Sequence, residues 1–290
     1  MNRYYVHGID PFVLKFPESW PVDGIRWYGI FYIFAFAFAA LALNFYTKKN
    51  KSPLSAEQNS SFLGYAIIGV VIGGRLGYAL LYSFDSFIKN PLEIFAVWRG
   101  GMSSHGGFAG VIAAIAIFCK KNNVPLLSLA DICSTIAPFG FFVGRIANFI
   151  NGELYGKITA VKWAVIFPKS AHQMANILAI PARHPSQLYE AFLEGLVLFL
   201  CVQTRFWSRR EIRPGRLSGE FLVLYAIFRI FTECFREPDA ELIFSMARGQ
   251  FYSIFLLILG LILIFLPAKD GKFHGDDCEK TPPPTKVSPS

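Results

Sequence analysis

The chain has 290 residues, of which 53% are apolar and only 17% charged, and its 30 phenylalanines stand far above ordinary globular usage. A water-soluble domain carries about a quarter charged residues, so the composition excludes disorder for most of the chain and argues against a conventional soluble enzyme. The formal net charge of +8 does not point to nucleic acid, because the basic residues sit in short loops between long apolar runs, as topology signals do.

Residues 1–24 are polar, Pro-interrupted and without the apolar core of a cleavable signal. Trp20 and its aromatic neighbours suit a periplasmic segment lying along the outer leaflet. Crossing about 30 Å of hydrocarbon takes roughly 20 mostly apolar residues. Seven stretches qualify: Ile25–Tyr46, Phe62–Tyr82, Ser104–Cys119, Leu129–Ile150, Ser186–Phe206, Leu217–Phe235 and Gln250–Leu266. The fold class expected is all-α, a polytopic membrane protein with about seven transmembrane helices.

The loops after spans one, three and five hold Lys48, Lys49 and Lys51, then Lys120 and Lys121, then Arg205, Arg209, Arg210, Arg213 and Arg216. The opposite side spreads its basic residues over much longer segments. The positive-inside rule makes the dense side cytoplasmic, with the N-terminus outside and the C-terminus inside. Residues 25–267 are then one membrane catalytic domain, with a small periplasmic cap at about 151–184. Residues 268–290 are a Pro-rich, disordered cytoplasmic tail. The five cysteines (Cys119, Cys133, Cys201, Cys234, Cys278) show neither CxxC nor His–Cys spacing, so they read as buried small hydrophobes.

Arg75, His105, Arg145, Glu190, Glu194, Arg229 and Glu233 all fall inside proposed spans. Such residues cost roughly 2.5–3.5 kcal/mol at the bilayer centre, so they normally face a protein interior and act there. The fourth span closes in G-R-I-A-N-F-I-N-G-E-L-Y-G, from Gly144 to Gly156. Arg145 and Asn148 share a helix face, and Asn151 and Glu153 follow where the helix should end. An Arg with two amides and a glycine-rich turn suits a phosphate oxyanion. The alternative is a capped helix end with a snorkelling Arg.

Span six spaces Tyr225, Arg229 and Glu233 by four, one polar ladder on one face. Arg229 and Glu233 either neutralise each other or serve a ligand. Arg229 is the stronger candidate, since a guanidinium pairs with Glu and still offers donors to a phosphate. His105, in M-S-S-H-G-G-F-A-G, is either a proton acceptor near neutral pH or an interhelical hydrogen bonder. Span five opens in H-P-S-Q-L-Y-E, where Pro185 suits a helix start and Glu194 continues the face of Glu190. Arg75, among small residues that permit close helix contact, reads as a structural counter-ion. In I-R-W-Y-G, Trp27 belongs to an aromatic belt and Tyr28 reaches inward as a hydrogen-bond donor.

Taken together, these segments resemble a known family. The run from Gly144 to Gly156 is similar to the signature of bacterial prolipoprotein diacylglyceryl transferases. I-R-W-Y-G, G-G-R-L-G-Y, H-G-G-F-A-G, H-P-S-Q-L-Y-E and Y-A-I-F-R-I-F-T-E-C-F-R-E-P-D resemble its further blocks, in order, up to about residue 267. Lys157, where many members carry Arg, is a small departure. The resemblance implies an inner-membrane enzyme, without a cofactor, that moves the diacylglyceryl group of phosphatidylglycerol onto a thiol. That thiol belongs to the lipobox cysteine behind a prolipoprotein signal peptide, and glycerol phosphate is released. The essential positions it implies are Tyr28, His105, Arg145, Asn148, Glu153, Gly156, Arg229 and Glu233.

Such a reaction must deprotonate a thiol of pKa about 8.5 and stabilise charge on a departing phosphate. Arg145 and Arg229 are expected to hold the phosphate, with Asn148 and Tyr28 adding hydrogen bonds and Glu153 and Glu233 orienting the guanidiniums. His105 is the preferred base, unless the Arg-rich pocket favours thiolate unaided. Catalytic duty thus falls on His105, Arg145, Arg229 and Tyr28. Lipid binding falls on Arg145, Asn148, Arg229, Glu153, Gly156 and Glu233. No metal is expected, since there is no HExxH. Both substrates should enter sideways, with the glycine-rich faces of spans two and three as gates. The competing reading is a secondary transporter of an anionic solute, which would also need buried arginines but usually shows internal repeats.

Overall fold

The computed structural model describes residues 4–20, 22–81, 83–95, 101–171, 179–208, 212–238 and 241–265, with the side chains of Leu81, Ser104 and His105 outside that set. Long apolar runs become helices because a backbone removed from water must satisfy its own N–H and C=O groups. In chain order these are α1 (Trp27–Lys48), α2 (Ala56–Leu81), the short α3 (Phe84–Lys89), a 3₁₀ turn at Pro91–Phe95, α4 (Ser104–Asn122) and α5 (Leu126–Asn151). Then come α6 (Ser186–Glu190), a π-helical turn at Ala191–Val197, α7 (Leu198–Trp207), α8 (Arg216–Glu233) and α9 (Arg248–Phe265).

Four of the described helices are long and apolar enough to cross a membrane: Trp27–Lys48, Ala56–Leu80, Leu126–Asn151 and Arg248–Phe265. Ile33 and Leu41 on α1 and Ile258 and Ile262 on α9 are exposed, as suits helices solvated by hydrocarbon rather than water. The other expected spans differ for a physical reason. Arg216, Glu220, Arg229 and Glu233 make α8 too polar, and the π turn interrupts the fifth, which also carries Glu190 and Glu194.

The helical body is joined by two small ribbons. β1 (Tyr5–Val6) pairs in parallel with β4 (Val165–Ile166), and β2 (Phe12–Lys15) pairs antiparallel with β3 (Gly24–Arg26). The N-terminal segment is therefore tied to the cap, with the His7 amide donating to the Ile166 carbonyl at 2.8 Å. Ala164, Ile166, Ile180 and Ala182 form a small core there, against Tyr4 and Val6.

The main core gathers Leu43 and Tyr46 of α1, Phe118 of α4, Leu129 and Ile132 of α5, Val202 and Phe206 of α7 and Leu217 of α8. These lie at one end of the bundle, where α1, α4 and α7 finish and α5 and α8 begin. At that end Asp131 of α5 accepts from the backbone amides of Gly215 (2.8 Å) and Ser218 (2.7 Å) and from the Ser218 hydroxyl (2.7 Å). It thus satisfies donors that the first turn of α8 leaves open.

The glycines of spans two and three were expected to line a gate, but they face one another. A Cβ on Gly73 or Gly77 of α2 would run into Gly106 of α4, and one on Gly110 into Gly69. Small residues let the two backbones touch, so this seam is closed. Gly219 of α8 and Gly260 of α9 meet in the same way. The Arg75 guanidinium donates to the backbone carbonyls of Glu93, Ile94 (3.0 Å) and Gly101 (3.0 Å), fastening the segment before α4 onto α2.

Candidate active site

The opposite end of the bundle holds a buried ion cluster built from three stretches of chain. Arg145 projects from the last turns of α5, and Glu190 and Glu194 lie on α6 and the π turn. Arg229 and Glu233 close α8, and Arg236 follows in the next turn. Arg145 Nε lies 2.8 Å from Glu190 Oε2, and its Nη2 lies 3.3 Å from Glu194 Oε2. Arg229 Nη1 reaches Glu190 Oε2 at 3.2 Å and Glu194 Oε1 at 3.4 Å, while its Nη2 pairs with Glu233 at 2.6 Å. Arg236 Nη1 stands 3.5 Å from Glu190 Oε1, and the Thr232 hydroxyl donates to Glu194 Oε1 at 2.8 Å.

Glu194 is fully buried and Glu190 nearly so, whereas the Arg145 side chain keeps 19% of its surface exposed. Arg145 is therefore the edge of the cluster an incoming anion would meet first. Buried charges survive only when paired, and three guanidiniums here balance three carboxylates. The π turn is placed at this cluster, where such irregularities often mark function. Gly195 within it lets the turn pack on Phe142 of α5. Gly249, in the first turn of α9, lies against the Arg229–Glu233 pair, where a Cβ would meet Glu233 Oε2 at 2.6 Å.

A second constellation sits beside the first, at the end of α5. Asn148 donates through Nδ2 to Glu153 Oε1 at 2.9 Å and to the Tyr28 hydroxyl at 3.3 Å. Glu153 Oε1 also accepts from Asn151 at 3.4 Å. Gly152 ends the helix with a left-handed φ of 63°, which turns Glu153 back so that its amide donates to the Asn148 carbonyl. Gln187 Nε2 donates to the Glu153 carbonyl at 2.6 Å and the Ser186 hydroxyl to the Leu154 carbonyl at 3.0 Å, pinning this loop to α6.

The structure thus brings Arg145, Arg229 and Glu233 into one cluster and Tyr28, Asn148 and Glu153 into its neighbour. Glu153 was expected to orient the guanidiniums, yet its described bonds go to amides. Glu190 and Glu194 take the guanidiniums instead, and nothing in the local spacing tells which Glu meets which Arg across helices. Their position inside an apolar span was the available signal. Gly156 donates its amide to the His184 carbonyl at 2.9 Å and bridges Arg236 in antiparallel fashion. A Cβ there would lie 2.5 Å from the Phe235 carbonyl oxygen, so this glycine lets the cap press against the chain that carries Arg236. His105 has its backbone in the first turn of α4, and its side chain lies outside the described residues.

The family model described as prolipoprotein diacylglyceryl transferase matches residues 18–266. A phosphatidylglycerol–prolipoprotein diacylglyceryl transferase of Rickettsia canadensis is 45% identical over 244 residues, covering 83% of this chain and 91% of its own. The protein of that name from Pseudoalteromonas translucida is 44% identical over 261 residues, 87% of this chain and 94% of its own. That of Aeromonas hydrophila is 40% identical over 259 residues, 88% and 91%. With a match over nearly all of its length and relatives at this identity, the chain belongs to the prolipoprotein diacylglyceryl transferase family.

Proposed function

We propose that this protein transfers the diacylglyceryl group of phosphatidylglycerol to the lipobox cysteine of prolipoproteins, forming a thioether and releasing glycerol phosphate. The observation that carries the reading is the meeting of Arg145 from α5 and Arg229 from α8 on the two buried carboxylates Glu190 and Glu194. Two largely buried guanidiniums held in place by carboxylates can stabilise the negative charge that grows on a departing phosphate, which is how preorganised donors lower a barrier. The Tyr28 hydroxyl, which accepts from Asn148 one turn further out, keeps its own O–H to donate to a headgroup oxygen. Glu233 holds Arg229, and Glu153 holds Asn148.

In this reading the chain crosses the bacterial inner membrane seven times. The four long apolar helices are joined by α4, by the continuous stretch Ser186–Trp207 and by α8. The polar flanks of these three face the protein interior rather than lipid. The ion cluster and cap lie toward the periplasm, where exported prolipoproteins present their cysteine.

The test is to incubate the purified protein in lipid nanodiscs with phosphatidylglycerol and a lipobox peptide and to weigh the peptide. The peptide should gain one diacylglyceryl group, and a Cys→Ser peptide should gain none. An unchanged peptide mass with phosphatidylglycerol present would overturn the reading.

A further inference from the structure

The ion cluster is electrically balanced, and that balance has a chemical consequence which rests on the transfer reaction proposed above. Arg145 and Arg229 carry two of its three positive charges, and Glu190, Glu194 and Glu233 carry three negative ones. A lipid phosphodiester is an anion. When it takes hold of these guanidiniums it competes with a carboxylate already there, and a buried carboxylate that loses its cation must follow it or take up a proton.

Among the described ion pairs, Glu194 is the carboxylate with no guanidinium nitrogen nearer than 3.3 Å. Its contacts to Arg145 and Arg229 are 3.3 Å and 3.4 Å, whereas Glu190 has Arg145 at 2.8 Å and Arg229 and Arg236 besides, and Glu233 has Arg229 at 2.6 Å. Glu194 is also fully buried, so water does not replace the lost partner. The Thr232 hydroxyl, 2.8 Å away, keeps one of its oxygens in place while the other is released.

We propose that Glu194 accepts the proton of the lipobox thiol once a lipid phosphate has drawn Arg145 away from it. The S–H bond breaks, with its proton passing to the Glu194 carboxylate. The sulfur electron pair forms the S–C bond at the glycerol carbon, and the C–O bond breaks with its pair going to the phosphate oxygen. As the phosphate monoester leaves, the guanidiniums return to Glu194 and the proton passes to the monoester or to water. Loading the lipid thus arms the base, and an empty site keeps it neutralised.

The groups that face Glu194 are Arg145 of α5, Tyr225, Arg229 and Thr232 of α8, and Glu190 one turn back on its own stretch. They set the pH profile that tests the proposal. Glu194→Gln should lose about 100-fold or more of its transfer rate to a cysteine peptide at neutral pH, the usual scale of general-base loss. The loss should shrink as pH rises toward the thiol's own pKa of about 8.5. A selenocysteine peptide, whose selenol ionises without help, should be lipidated by Glu194→Gln at close to the wild-type rate.

Equal loss with both peptides at every pH would make Glu194 a purely structural group and overturn the proposal, as would an undiminished cysteine rate. If Glu194→Gln does not fold, Glu194→Asp serves the same comparison: a deficit confined to the cysteine peptide supports the role, and an equal deficit overturns it. His105→Gln, assayed alongside, should show no rescue of its loss by the selenocysteine peptide; a selenocysteine-rescued loss there would assign the proton to His105 and overturn the role of Glu194. Failure of the wild-type protein with both peptides would count against the transfer reaction itself rather than against Glu194.

Discussion

Arg145 and Arg229 share a single oxygen: Glu190 Oε2 lies 2.8 Å from Arg145 Nε and 3.2 Å from Arg229 Nη1. Like charges on two different helices are held side by side because a carboxylate with almost no solvent access stands between them. Removing one member of a buried ion pair typically costs about 3–5 kcal/mol, since the partner is left uncompensated. Glu190→Ala should therefore lower unfolding stability by about that amount in denaturant titrations in mixed micelles, with Glu190→Gln intermediate. A loss below about 1 kcal/mol would show that the guanidiniums are solvated after all.

Arg145 uses two different nitrogens, Nε for Glu190 and Nη2 for Glu194. Lysine would keep the charge but not the planar fork that reaches both partners and a phosphate together. Arg145→Lys should lower transfer to a lipobox peptide by about 100-fold or more, the scale of losing one oxyanion donor. Near-normal turnover would contradict the phosphate-holding role.

The motif from Gly144 to Gly156 contains glycines of unlike kinds. A Cβ at Gly144 would meet nothing within 4 Å, whereas one at Gly156 would collide with the backbone of Phe235 and His184. Gly144→Ala should be neutral or slightly stabilising, by up to about 1 kcal/mol, because alanine favours a helix interior. Gly156→Ala should cost about 1–3 kcal/mol and depress transfer by shifting the segment that bears Arg236. Comparing thermal midpoints and rates of the two variants checks both statements.

His7 lies in the cap with its ring 5.3 Å from Phe149 and 5.4 Å from Phe167. Burial lowers its pKa below the ordinary 6.5, outweighing a backbone hydrogen bond to Phe149 that acts the other way. The unfolded segment therefore binds more protons than the folded one below that value. The contribution of His7 is full above about pH 6.5 and is lost as pH falls through the lowered folded value. Hydrogen exchange across β1 and β4, corrected for intrinsic rates, should quicken on acidification, and His7→Phe should remove the effect. An unchanged pH dependence in His7→Phe would assign it elsewhere.

Much of this was legible in the sequence, because an apolar run such as that of α9 leaves the backbone one solution in lipid. Arg145, Asn148 and Glu153 could be placed at a helix end from Gly152 and the spacing alone. What could not be read was pairing across the bundle. Glu190 and Glu194 stood out as charges inside a span, but that they, rather than Glu153, hold Arg145 and Arg229 depends on how α5, α6 and α8 pack. The parallel pairing of Tyr5 with Val165 was equally hidden, since no turn joins strands so far apart in the chain. The π turn leaves no mark in hydropathy at all.

The glycine contacts between α2 and α4, and between α8 and α9, weld these helices into two couples whose axes lie closer than any side chain would allow. An acyl tail cannot wedge itself into either weld without parting backbone from backbone. A lipid would have to part some other joint, and α5, which bears Arg145, makes many of those, against α1, α4, α6, α7 and α8.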